Sequence, residues 1–563
     1  MPRQANKIYT SPWGDHAKVE PGSAWDYVCG YPTHSDCLED KHPKLALHDL
    51  VTDEKWSYGD MRDWTTCIAA ALLNGKLGLK PGDRVLLSHP SGPIFLILLF
   101  ACLRAQLIPG LANPAYTPKE FLHGFKTIEA KAVLRPKALA DAFKEAGISD
   151  DISVDTTWPP NERSKAQVWD LARGDVAKAN KILADKGADR PVDWKKTAGI
   201  FFSSGTTGLP KAVCISHSNL LNEFKSYEHV PDFDTDPYQP HYVALPLFHV
   251  AGLLSWLFAG IMGRPVLFSY KQPLDPQLLM KHFDQSGAVQ MMVVPPLLLG
   301  ITKMKLMTDK THPHVRFLIA GAAPLGPDLH KESMALFGGK PIIQVWGMSE
   351  TTGAATKASP VEEIVVGSCG KIMPSVEMRI VDEEEKDVED GQPGEVWIRG
   401  EINMVGYLNN PEATREMITE DGWLKTGDIG YVGPDGDSLH LVDRKKELIK
   451  FRGYQVAPAE LEDLIQGHPD IADVGVVGVK DSNGTDELPR AYCVLGPNAK
   501  DKKKEDLAKE IVSFVKSKVS SQKQLRGGVV FIDAIPKNPS GKILRKDLRA
   551  LSANDQAKPK PKL

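Results

Sequence analysis

Ser203-Ser-Gly-Thr-Thr-Gly-Leu-Pro-Lys211 follows directly on the apolar run Gly199-Ile-Phe-Phe202. Gly205 and Gly208 tolerate positive φ and let backbone amides come close to an anion. Ser203, Ser204, Thr206 and Thr207 add four hydroxyl donors, and Lys211 adds a cation. A loop this dense in phosphate ligands, fed by a strand, reads as a nucleotide grip. It is not a Walker loop, because the Gly-Lys-Ser/Thr ending is missing.

The same texture extends on both sides of that loop. From about 40 to 440, short β-rich runs alternate with helix-length segments. Asp83-Arg-Val-Leu-Leu-Ser88, His241-Tyr-Val-Ala-Leu245, Val315-Arg-Phe-Leu-Ile-Ala320 and Ile342-Ile-Gln-Val-Trp346 are examples. This alternation predicts layered α/β subdomains with largely parallel strands. From Met378 onward, Met378-Arg-Ile-Val381, Gly394 to Arg399 and Leu439 to Val442 alternate between Gly, Asp and Pro turns, as in a small β subdomain. Beyond Asp443 the pattern becomes a small α+β domain. Its helices are expected at Ala459 to Gly467 and Lys504 to Val519, and its strands at Val474 to Val479 and Val529 to Ile532. The expected organisation is a large domain over 1–443, a hinged C-terminal domain over 444–550, and a polar tail over 551–563 rich in Ala, Lys and Pro.

A chain of 563 residues needs more than one core. Its charge of 68 − 72 = −4 shows none of the basic excess of a nucleic-acid binder. Cys29, Cys37, Cys67, Cys102, Cys214, Cys369 and Cys493 are scattered with neither zinc spacing nor a C-x-x-C pair, as free thiols of a reducing compartment would be. The most apolar run, Ile94 to Leu103, is half the length of a membrane span and reads as a buried helix. Met1-Pro-Arg-Gln-Ala-Asn-Lys7 has no apolar stretch behind it, unlike a signal peptide. The expected setting is intracellular. The ending Pro561-Lys562-Leu563 approximates a peroxisomal Ser-Lys-Leu address with Pro in first position, and equally suits a polar tail.

Five further segments share one pattern with the phosphate loop. They are Ala320-Gly-Ala-Ala-Pro-Leu-Gly326, Gln344-Val-Trp-Gly-Met-Ser-Glu-Thr351, Gly422-Trp-Leu-Lys-Thr-Gly-Asp428, Val442-Asp-Arg-Lys-Lys-Glu-Leu-Ile-Lys450 and Pro536-Lys-Asn-Pro-Ser-Gly-Lys-Ile-Leu-Arg545. In this order they resemble the ANL superfamily of adenylate-forming enzymes, which comprises acyl- and aryl-CoA synthetases, adenylation domains and luciferases. The likeness runs from about Trp56 to Arg549 and is strongest to 4-coumarate:CoA-ligase-like and fatty acyl-CoA ligases. It implies ATP, Mg²⁺ and coenzyme A as reactants and cofactor, a small carboxylic acid as substrate, and a monomer or homodimer.

The resemblance also implies roles. Gly321, Ala322 and Ala323 would pass beneath the adenine, and Trp346 would stack on it where the family usually has Tyr. Gln344, Val345, Gly347 and Met348 belong to the same segment. Ser349 would meet the α-phosphate, and Glu350, with Thr206, would hold Mg²⁺. Asp428 would accept the ribose hydroxyls, joined by Arg444. Lys446 matches the hinge, Lys450 and Gln455 approach the adenylate, and Gly453 borders the thiol channel. Lys542 is the family's catalytic lysine, bridging the acid and the α-phosphate.

The acid's identity rests on Leu245-Pro-Leu-Phe-His-Val-Ala-Gly-Leu253. The resemblance puts His249 over the carboxylate. Val250, Ala251, Leu254 and Ser255, with Val345, Met348, Gly353 and Ala354, suggest an uncharged fatty or aryl tail, and no Asp is placed to pair a substrate ammonium. The reaction implied is attack of the carboxylate on ATP to give acyl-AMP and pyrophosphate, then thiolysis to acyl-CoA and AMP. The alternative is an adenylating enzyme that loads a separate carrier protein.

Overall fold

The computed structural model describes residues 7–30, 45–157, 175–203, 210–232, 239–269, 275–452, 454–481, 486–499, 502–538 and 541–556. Ser204, Gly205, Thr206, Thr207, Gly208, Gly453 and Pro561-Lys562-Leu563 lie outside them.

Two large mixed sheets and a five-stranded antiparallel sheet precede the C-terminal elements. In the nine-stranded sheet the six strands Ile342–Met348, Phe317–Ala320, Gln290–Val293, His241–Val243, Val266–Phe268 and Leu45–Asp49 run parallel side by side. In the seven-stranded sheet Thr197–Ser203, Ile108–Leu111, Arg84–Leu87, Ala132–Arg135 and Ser153–Asp155 do the same. Parallel strands are covered on both faces, which is why they read as short all-apolar runs. One covering helix, Pro93–Arg104, contacts Ile108–Leu111 and Leu45–Asp49, one strand from each large sheet, and its residues Pro93 to Leu103 are all buried. It fulfils the expectation for Ile94 to Leu103, and among the described residues no helix is long and apolar enough to cross a membrane.

The β subdomain is Glu377–Val381, Gly394–Arg399, Leu424–Val432 and Leu439–Arg444, in antiparallel order. Its fifth strand is unexpected. Tyr9–Thr10, from the other end of the chain, pairs with Met378 and Glu377. Two residues carry no periodicity, so only the pairing reveals the strand.

The C-terminal elements form their own core of Val456, Leu461, Ile465, Val474, Val476, Ile511 and Val515 with their neighbours. The expected helices appear as Pro458–Gln466 and Lys504–Lys516, and the strands as Ile471–Lys480 and Val529–Phe531. The polar-tail expectation over 551–563 needs correction, because one helix spans Arg545–Gln556. Fully buried Leu548 anchors it, and the Arg545 guanidinium reaches Glu462 at 2.7 Å. Helix Pro458–Gln466 also meets Pro327–Leu336 of the large domain. There Gly326 lies against Asp463: a Cβ on it would stand 1.6 Å from Asp463 Oδ1, so that carboxyl would have to turn aside. Burial and the nearby Asp328 carboxylate push Asp463 up to about 6.

Candidate active site

The phosphate-loop flanks are two antiparallel strands, Thr197–Ser203 and Lys211–Ser216, with Ser203 directly opposite Lys211. That pairing brings both residues to the wall of a cavity of about 670 Å³. Val345, Trp346, Gly347, Met348, Ser349 and Glu350, from the end of Ile342–Met348 and the turn after it, line the same cavity. So do Ala322, His249, Arg444, Lys446 and Lys542. Residues more than three hundred positions apart thus converge on one space.

The turn is tightly built. Gly347 faces the Gly353 carbonyl so closely that a Cβ would lie 1.6 Å from that oxygen. Thr352 takes φ +59°, a left-handed conformation that reverses the chain into Gly353–Lys357. The reversal holds Glu350 against the cavity. The Tyr407 hydroxyl donates to Glu350 Oε1 at 2.8 Å, and Lys211 Nζ stands 4.6 Å from the Tyr407 ring centroid. Burial, then the Glu350 charge, pushes the Tyr407 phenol far up, so it stays a donor.

A second cluster sits on paired strands, where Asp428 is opposite Arg444. Asp428 is buried, and the Trp346 indole Nε1 donates to its Oδ2 at 2.8 Å. Arg444 Nε is 3.1 Å from Oδ1, a charge contact without hydrogen-bond alignment, so Oδ1 keeps its hydrogen-bonding capacity. Asp428 itself stands just behind the lining formed by Thr426, Gly427 and Arg444. Sequence reasoning assigned Trp346 only a stacking ring. Its N–H is what differs from the usual Tyr, and that N–H fixes the carboxylate.

Lys542 enters from the C-terminal domain. Gly541, at φ +80°, turns the backbone, and the Lys542 amide donates to Asn538 Oδ1 at 2.9 Å. Burial first, then the Arg444 guanidinium, pushes the Lys542 ammonium down to about 8, against the pull of Asp428. His249 precedes helix Val250–Ile261, and burial pushes its imidazole down to about 4, leaving it neutral at pH 7.

Some expected residues are elsewhere. Lys450 and Gln455 sit opposite each other in the hairpin Ile449–Phe451 with Tyr454–Val456, exposed and away from the cavity. The reason is rigid-body geometry: the C-terminal domain presents its Lys542 loop, and this hairpin is on another face. Gln344 is buried, with its amide nitrogen 3.5 Å from His330 Nδ1. Gly321 and Ala323 are also off the lining. Gly321 makes room for Val345, whose Cγ2 would be 2.7 Å from a Cβ there. The acyl pocket is more polar than the small and apolar residues expected for an uncharged tail. Val250, Ala251, Leu254, Ser255 and Met348 line it as expected, but Glu223, His241 and Gln290 stand among them.

Comparison with known proteins agrees with this geometry. The AMP-binding enzyme family matches residues 36–408, and the AMP-binding enzyme C-terminal domain matches 460–542. The 4-coumarate–CoA ligase of Vanilla planifolia is 35 % identical over 542 residues, covering 92 % of this chain and 93 % of that protein. 4-Coumarate–CoA ligase 1 of Arabidopsis thaliana is 35 % identical over 533 residues, covering 91 % and 90 %. The crystal structure of ATP-bound MatB from Rhodopseudomonas palustris superposes with a TM-score of 0.80 at 25 % identity, over 95 % of this chain and all of that one. The chain belongs to the AMP-binding enzyme family. Within it, the chain is an AMP-forming acid–CoA ligase that uses ATP and coenzyme A; loading of a separate carrier protein is not favoured.

Proposed function

We propose that the cavity converts a fatty or arylalkanoic acid to its acyl-adenylate, and that the named residues divide the work as follows. The observation that carries this reading is the convergence of Lys542, from the small domain, with Lys211, Glu350 and Arg444 of the cavity wall. The carboxylate, already ionised at pH 7, attacks the α-phosphorus. One P–O bond forms, and the bond to the β-phosphate breaks, so the electron pair leaves with pyrophosphate. No proton has to move. Catalysis is then positioning and charge neutralisation. Lys542 meets the charge that gathers between acid and phosphate. Lys211, Ser203 and the hydroxyls of Ser204, Thr206 and Thr207 hold the pyrophosphate portion. His249, neutral, closes over the carboxylate without adding repulsion or charge. Asp428 Oδ1 is free to accept a ribose hydroxyl.

Mg²⁺ fits the Glu350 corner: a carboxylate at the wall of a phosphate-sized space is the hard oxygen donor it takes. Bound there, it would offset phosphate charge.

In the second half-reaction a coenzyme A thiol attacks the acyl carbon and AMP leaves. Lys450 and Gln455, which match family residues that approach the adenylate, and Gly453, which would border the thiol channel, share the small domain with Lys542. Rotation about Lys446 would exchange one face for the other. The proposed setting is peroxisomal or cytoplasmic fatty or aryl acid metabolism. The test is acid-dependent pyrophosphate release, with coenzyme A consumed and acyl-CoA found by mass. Pyrophosphate release without an acid, or no thioester from any acid, would refute the reading.

A further inference from the structure

The residues around the acyl end of the cavity hold more polar groups than a hydrocarbon tail could use. Helix His217–His229 contributes Glu223 and, one turn on, Tyr227. Glu223 has no exposed surface. Its Oε1 accepts the Ala354 amide at 2.7 Å, while its Oε2 has no hydrogen-bond partner among the described residues. The site is built for this side chain. A Cβ on Gly353 would lie 2.7 Å from Glu223 Oε1 and 2.2 Å from Leu254 Cδ1, so the bare backbone there gives both side chains room. Also on the cavity lining, Gln290 Nε2 and His241 Nε2 are 3.3 Å apart. Gln290 Oε1 and His241 Nδ1 have no partner among the described residues either.

A buried polar atom without a partner keeps the cost of leaving water with nothing to offset it. Three of them belong to residues lining one pocket, and an alkyl tail would leave all three unpaired. We infer that Glu223 is a specificity-determining residue of this ligase, selecting acids whose tail carries a neutral O–H or N–H group at the end remote from the carboxylate. Burial pushes the Glu223 carboxyl up to about 8, so it meets that group as a neutral acid, able to donate as well as accept. A hydroxyl matches both capacities. A second carboxylate would bring a charge into the same buried space that keeps Glu223 protonated. A hydrocarbon of the same shape gives nothing back. The inference rests on the acid-activating role proposed above and narrows its substrate class. It also refines the uncharged tail expected from Val250, Ala251, Leu254, Ser255, Val345, Met348, Gly353 and Ala354.

Matched acids differing in one group test it. The probes are 3-phenylpropanoic acid beside its 4-hydroxy, 4-amino, 4-methyl and 4-carboxy forms, and octanoic beside 8-hydroxyoctanoic acid. Pyrophosphate release reads kcat/KM, and isothermal titration of the same acids reads affinity where turnover is low. The parent enzyme is expected to favour the hydroxy or amino member of at least one series by about tenfold or more, the scale of one buried hydrogen bond. Glu223→Leu should abolish that preference, and Glu223→Gln, which keeps a hydrogen-bonding amide, should retain part of it. Equal or better use of the unsubstituted or 4-methyl acids by the parent would overturn the inference. So would a hydroxyl preference that survives in Glu223→Leu, or a parent that favours the 4-carboxy acid. If no acid gives pyrophosphate, the acid-activating reading itself fails, while a hydroxyl preference in the titration would still report on Glu223.

Discussion

Lys542 is the residue on which the most chemistry depends. An ion contact at ~4 Å is worth ~1 kcal/mol in water and ~4 kcal/mol at an effective dielectric of ~20. Lys542→Ala is therefore expected to slow adenylate formation by roughly two to three orders of magnitude, read as acid-dependent pyrophosphate release. Its pH behaviour follows from its surroundings. The lysine works charged, and its pKa is lowered from 10.5 to about 8. The charge is present below that value and lost as pH rises through it. Because kcat/KM reports groups of the free enzyme, kcat/KM for ATP should decline above pH of about 8, and that limb should vanish in the residual activity of Lys542→Ala. Glu223 acts on stability instead. Its pKa rises from 4.5 to about 8 on folding, so the folded protein keeps a proton that the unfolded chain releases. The stability it contributes is full below about 4.5 and is lost as pH rises through about 8. Melting temperature should fall over that interval in the parent and fall less steeply in Glu223→Gln.

Among the elements, the terminal helix Arg545–Gln556 is decisive for the small domain. Arg545 is nearly buried and reaches Glu462 at 2.7 Å, and Arg549 pairs with Glu447. Removing one partner of a buried pair costs about 3–5 kcal/mol, because the other charge is left behind. Arg545→Ala should lower the unfolding temperature of the small domain and expose it to protease, and adenylation should fall because the Lys542 loop feeds this helix. Much of this architecture was legible in the sequence, and the exceptions have physical causes. Gly199-Ile-Phe-Phe202, Gly394 to Arg399 and Ile94 to Leu103 have the periodicity and composition that burial imposes. Tyr9–Thr10 is too short for either, and 551–556 is polar enough to pass for a tail although the helix from Arg545 runs through it. At the site, Lys211, Glu350, Arg444 and Lys542 were readable from glycine- and charge-rich motifs. Glu223 was not, since an ordinary helix surrounds it. The Glu223 carboxyl packs against Gly353, 130 residues away, a contact that no local pattern announces.

On the scale of the whole molecule, the cavity is closed by a loop from a domain that has its own core. Lys542 lines the cavity, and Lys450 is outside it. If the two lysines serve alternate stages, Lys542→Ala should still convert preformed acyl-AMP to thioester at near-parent rate, and Lys450→Ala should show the reverse pattern. Stopped assays on each half-reaction separate the two. Equal loss of both stages in either variant would mean that the domains do not exchange faces.

The seam at Gly326 gives that exchange a clearance. Asp463 docks where a side chain is missing, and the gap is narrower than one methyl group. A methyl placed there would act as a doorstop: the small domain would ride outward, Lys542 would be drawn back, and the opposite face would be no worse placed than before. Throughput could then be tuned at a point remote from every reacting atom, by slowing one stage of the cycle while leaving the other alone.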